Sequence, residues 1–160
     1  MKLIHAKEDK FVFEISRQEK SLLAEVLNLY PLTPATHHHL SKTAQGDKRD
    51  ENQRLLEESL AAQREENQKN VRAMLNEPGH FQITGGRCRL TLSGPETEWL
   101  LQVLNDVRVG SWIALGSPDT ETDEEIPLND ETAPRLRSME LAGAFEMVFL
   151  SALGGRMQTD

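Results

Sequence analysis

Cysteine is nearly absent from this chain. Cys88 stands alone among 160 residues, so no intrachain disulfide framework can form, and the composition fits a reducing compartment. Long apolar runs are missing too. No stretch reaches the roughly 18 unbroken apolar residues that a membrane span needs, and residues 1–10 lack the apolar block of a signal peptide. Positive charge is in deficit: 18 Lys and Arg face 26 Asp and Glu, for a formal net charge of −8. The cations are interspersed with Glu, whereas binding a phosphate backbone needs them clustered. Neither nucleic acid nor membrane is expected as a partner, and a bacterial-type cytoplasmic protein is the expected setting.

Catalytic signatures are missing as well. There is no G-x-S-x-G, no Walker loop and no dinucleotide fingerprint. His37, His38 and His39 are adjacent, so they cannot all point at one ion from a helix or strand. No H-E-x-x-H or C-x-x-C accompanies them, and His5 and His80 lie far off in sequence. Asp119, Glu121 and Asp123 alternate like a calcium loop, but Glu124 and Asp130 stand where its glycine and its final glutamate belong. No metal and no cofactor is expected.

What remains is a chain long enough for one domain, residues 1–160, able to bury about 70% of its unfolded surface. Phe11, Phe13 and Ile15 alternate as a strand does, with Leu3 and Ile4 as a short partner across a turn at residues 7–9. Ser16 and Glu19 have capping-box spacing and open a first helix to about Leu29, which Tyr30-Pro31 ends. Residues 31–47 read as irregular. A long helix from about Lys48 to Asn76 is rich in good helix formers. Gly85-Gly86 joins two strands, His80–Thr84 and Arg87–Ser93, as a tight hairpin; Cys88 alternates there with Leu90 and Leu92, as a core filler would.

Ser93 and Glu96 repeat the capping box, with Pro95 near the first helical position, and open a third helix that runs to Leu115. Residues 117–132 form an acidic loop, and the fourth helix spans about Pro134 to Leu153, apolar nearly all round and so expected to be buried on several sides. Gly154-Gly155 should close it, leaving 154–160 as a fraying tail. The fold class is α+β, mainly helical: about four helices with a two- to three-stranded antiparallel sheet.

On a helical wheel the third helix gathers Trp99, Leu100, Leu101, Val103, Leu104, Val107, Trp112 and Leu115 into one broad apolar arc. Gly110 and Ser111 fall inside it and invite the close approach of another helix. Arg108 falls inside it too, and a buried charge needs a partner from elsewhere. Glu146 occupies the matching apolar sector of the last helix, so an Arg108–Glu146 pair is expected, with Glu57, Glu66 and Glu140 as alternatives. Such a pair would fix helix register; otherwise Arg108 holds a carboxylate or peptide end, or reaches solvent. Asn105 and Asp106 lie on the polar side and suit an exposed site. In the long helix, Leu56, Leu60, Val71 and Met74 mark an apolar seam broken by Gln63 and Asn67, with Arg64 alongside. These are expected to face solvent or a neighbouring chain, or else to line a polar pocket with Arg108.

The run Trp99-Leu-x-x-x-Leu104-Asn105-Asp106-x-Arg108 resembles the pattern of an uncharacterised bacterial family, domain of unknown function 2017. Asp50–Leu60 looks like the charged start of that family's middle helix. The chain departs from the family pattern at Tyr30–Pro34 and in the final helix. The resemblance implies an α+β cytoplasmic bacterial protein with no known catalytic residues. Through the family's gene neighbourhood beside the ClpS adaptor, it also implies a link to regulated proteolysis.

Two functions follow as expectations. The first is a non-enzymatic protein-interaction or regulatory module that binds a protein partner, the proteolysis machinery among the candidates, or associates with itself. The second is an enzyme or small-ligand binder with a polar pocket around Arg108, Asn105 and Glu146. A deep pocket with convergent polar groups would mark the second; a solid core with an exposed apolar stripe would mark the first.

Overall fold

A computed structural model describes residues 1–34, 47–119 and 126–156. The histidine run 37–39 and positions 120–125 of the acidic loop lie outside the described residues. The chain runs β1 (Lys2–Lys7), β2 (Lys10–Ile15), α1 (Arg17–Leu27), α2 (Asp47–Asn76), β3 (Phe81–Thr84), β4 (Arg87–Ser93), α3 (Gly94–Ala114) and α4 (Thr132–Arg156). The class is α+β and mainly helical. Its sheet has four strands rather than two or three, all antiparallel, in the order β1-β2-β4-β3. The extra strand was faint in sequence because β1 is an edge strand in which Leu3 alone is half-buried. A full alternating pattern arises only where a whole face is covered.

Alternation places the core. Phe11, Phe13 and Ile15 pair across the ladder with Leu92, Leu90 and Cys88, and all six are buried. Directly opposed residues share a face, so this side carries the helices while Glu14 and Arg89, themselves opposed, point away. Phe13 meets Phe149 of α4 edge to face, with ring centroids 5.1 Å apart. At the β3–β4 turn Gly85 and Gly86 have φ of 58° and 80°, the positive angles that a two-residue hairpin demands.

Both capping boxes form: Ser16 with Glu19 opens α1, and Ser93 with Glu96 opens α3. Helix α3 buries Leu100, Val103, Leu104 and Val107 and packs mainly against α4. The latter buries Ala142, Phe145, Phe149 and Ala152, a single stripe, and leaves Met147 70% and Leu150 55% exposed. The expectation that α4 is covered on several sides is therefore corrected. Its end is corrected too, because the helix continues through Gly154 and Gly155 to Arg156. Glycine costs a helix only about 1 kcal/mol per residue, and Phe149 and Ala152 anchor the turns before it. Helix α2 buries only Asn67, Val71 and Met74, so its first half lies largely in solvent. Among the described residues no helix is long and apolar enough to cross a membrane.

Candidate functional site

The site lies where α2 passes α3. Each helix contributes one polar stripe at i, i+3, i+4, i+7 spacing: Leu60, Gln63, Arg64 and Asn67 from α2, and Gln102, Asn105, Asp106 and Val109 from α3. Tyr30 and Thr33, from the segment after α1, close one side. The resulting cleft holds about 390 Å³.

Asp106 organises it. Its Oδ1 accepts from the backbone N–H of Leu32 at 2.6 Å and of Thr33 at 3.1 Å, while Thr33 Oγ1 donates to the Asp106 carbonyl at 2.9 Å. Arg64 Nη2 donates to the Thr33 carbonyl at 2.6 Å and stands 3.8 Å from Asp106 Oδ2. One carboxylate and one guanidinium thus pin residues 32–33 between two helices, and their charges offset. The chain can lie this close because Gly110 has no side chain. A Cβ there would sit 2.6 Å from the Leu32 carbonyl carbon and 2.7 Å from the Thr33 nitrogen. The expected close approach at Gly110 is therefore made by a loop, not by another helix.

The rest of the lining is neutral. Gln63 Nε2 donates to Asn67 Oδ1 at 3.3 Å, and Asn67 Nδ2 donates to the Tyr30 hydroxyl at 3.4 Å. Burial pushes the Tyr30 phenol above its usual pKa, and Asp106 reinforces this against the opposing effects of Asn67 and Arg64. Tyr30 therefore stays a neutral hydroxyl in the physiological range. The side chain of Gln102 is exposed and makes no hydrogen bond among the described residues.

Four of the six residues picked from sequence meet here: Gln63, Asn67, Asn105 and Asp106. Two of them sit differently from expectation. Asn67 is 2% exposed: it does not face solvent but lines the cleft with Gln63, as the polar-pocket alternative had it, though without Arg108. Asp106 is half-buried and spoken for by Leu32, Thr33 and Arg64, so it is no exposed patch. Asn105 is exposed, as expected.

Arg108 and Glu146 lie outside the lining of this cleft. Their pairing holds, with Nε 2.8 Å from Oε2; the burial expected of Arg108 does not. Its side chain is 44% exposed against 13% for Glu146. The arginine stem passes Gly143, whose added Cβ would lie 3.6 Å from Arg108 Cδ, and Nη2 donates to Asn105 Oδ1 at 2.8 Å. This is a long side chain laying its methylenes on a neighbouring helix while its head reaches water. The wheel misplaced it because the buried arc of α3 is narrower than the apolar one. Burial pushes the Glu146 carboxyl above its usual range, and Arg108 only partly offsets that.

Tyr30, Thr33 and Gln102 were not picked from sequence as site residues. Gln102 had a signal, since it begins the same polar stripe as Asn105 and Asp106. Thr33 had none: nothing local tells a loop threonine which helix it will meet. Among the described residues no group of three or more His, Cys, Asp or Glu is placed to hold a metal ion. Compared with protein-family models, curated proteins and solved structures, the chain matches none.

Proposed function

We propose that this chain is a non-enzymatic protein-interaction module that receives an extended peptide segment of its partner in the cleft between α2 and α3. The observation that carries this reading is the concentration of primary amides, Gln63, Asn67, Gln102 and Asn105, around one cleft. An amide offers a donor and an acceptor side by side without charge. That is what a peptide main chain also offers, once per residue. The neutral Tyr30 hydroxyl and the mutually offset Arg64 and Asp106 add no strong field that would select an ion. The likeness of Trp99–Arg108 to domain of unknown function 2017 supplies a partner class, the regulated-proteolysis machinery.

The test is retention of randomised nonapeptides by the full chain, read by mass spectrometry. Wild type should retain peptides, and Gln63→Ala with Gln102→Ala should lose roughly three- to tenfold per amide removed. Both side chains are exposed, so the fold should survive. Equal retention by the double variant and wild type would sink the reading.

A second reading, a binder of a small neutral polar molecule, is favoured by the cleft's size, which falls in the range of small-ligand sites. Thermal stabilisation by a panel of amides and sugars, with no peptide retained, would select it over the first.

A further inference from the structure

We infer that the peptide site continues past Tyr30 and ends on Arg72, which anchors a carboxylate of the bound segment; this rests on the peptide-binding reading above. A second cavity of about 160 Å³ lies further along α2, lined by Asn28, Gln68, Val71 and Arg72, and Tyr30 is a wall of both cavities. The two basins therefore flank the Tyr30 side chain. From Leu60 to Arg72 is 12 helical steps, about 18 Å along the axis and about 120° around it, or about 22 Å over the helix surface. An extended peptide covers that in about seven residues.

Arg72 differs from the cations around it. Arg64 faces Asp106, and Lys69 is paired with Glu65 at 3.2 Å. The Arg72 side chain is exposed and has no ion pair or hydrogen bond among the described residues; only its carbonyl is engaged, accepting from Asn76 Nδ2. A guanidinium with its whole fork open, beside the amides of Asn28 and Gln68, fits a planar carboxylate. The carboxylate comes from the peptide's own C-terminus or from an Asp or Glu side chain near that end.

Randomised nonapeptides supplied as free acids and, separately, as C-terminal amides distinguish these sources. If the anchor is a chain end, wild type should retain free acids about tenfold over amides. If it is a side chain, the retained amides should be enriched about tenfold in terminal Asp or Glu. Arg72→Gln should erase whichever preference appears while still retaining neutral amides, and its unchanged thermal unfolding would show that the fold is intact. Retention without either preference, or a preference that survives Arg72→Gln, would overturn the anchor and leave the cleft reading standing. Retention of no peptide by wild type would overturn both.

Discussion

Arg108 Nε lies 2.8 Å from Glu146 Oε2 across the α3–α4 seam, with the arginine three times as exposed as the glutamate, 44% against 13%. That asymmetry decides what the pair can contribute. Two fully buried charges depend on each other to the extent of several kcal/mol, whereas a pair with one member in water is screened and couples by about 1 kcal/mol or less. A double-mutant cycle on Arg108→Leu and Glu146→Leu, by urea denaturation, should therefore give coupling of at most about 1 kcal/mol. Coupling of several kcal/mol would mean that the pair is buried in solution.

Glu146 also sets a pH dependence. Its carboxyl titrates above the ordinary range because burial outweighs the attraction of Arg108. The folded chain therefore binds this proton more tightly than the unfolded chain. The associated stability is fully present below the unfolded pKa and is lost as pH rises through the folded one. At neutral pH the ionised Glu146 is a net cost. Glu146→Gln should then melt no lower than wild type near neutral pH, and the part of the stability decline just above the ordinary carboxylate range that belongs to this residue should vanish.

Glu96 works in the opposite sense. Burial raises its pKa, but bonds from His80 at 2.7 Å and from the Ser93 backbone and hydroxyl outweigh that and hold it below the usual value. Its contribution is present above the unfolded carboxylate pKa and is lost as pH falls through the folded one. Melting curves from neutral pH down through the acidic range should show wild type losing more stability than Glu96→Gln. Breaking the capping box should cost Glu96→Ala about 1 kcal/mol at neutral pH.

Gly110→Ala probes the loop that closes the cleft. The new methyl would meet the backbone of Leu32 and Thr33 within 2.7 Å, so the loop must move and its bonds to Asp106 must stretch. A loss of about 1–3 kcal/mol is expected, together with weaker peptide retention. Wild-type stability would show that the loop does not lie against α3.

Asp106→Ala leaves the N–H groups of Leu32 and Thr33 without their acceptor and Arg64 without its counter-charge. A cost of about 2–3 kcal/mol in chemical denaturation is expected. Asp106→Asn keeps an acceptor and should lose less. Equal losses for the two would mean that charge, not hydrogen bonding, holds the loop.

The sequence by itself determined the elements that carry their own instructions. Ser16–Glu19 and Ser93–Glu96 are complete caps within four residues, Gly85-Gly86 is a complete turn, and the alternation of Phe11–Ile15 with Cys88–Leu92 needs one covered face and nothing else. The pairing of Arg108 with Glu146 was legible because each stood inside an apolar sector of its own helix. Their depth was not, since a wheel reports direction and not how far a neighbouring helix extends. Tertiary structure alone decided that Gly110 admits a loop, that α4 leaves Met147 and Leu150 uncovered, and that Asn67 turns inward to Tyr30. It also decided the cleft. The two polar stripes at Leu60–Asn67 and Gln102–Val109 can each be read in sequence, but a stripe becomes the wall of a site only when another chain segment stands opposite it. That placement depends on Asp106 gripping Leu32 and Thr33, more than 70 residues away along the chain.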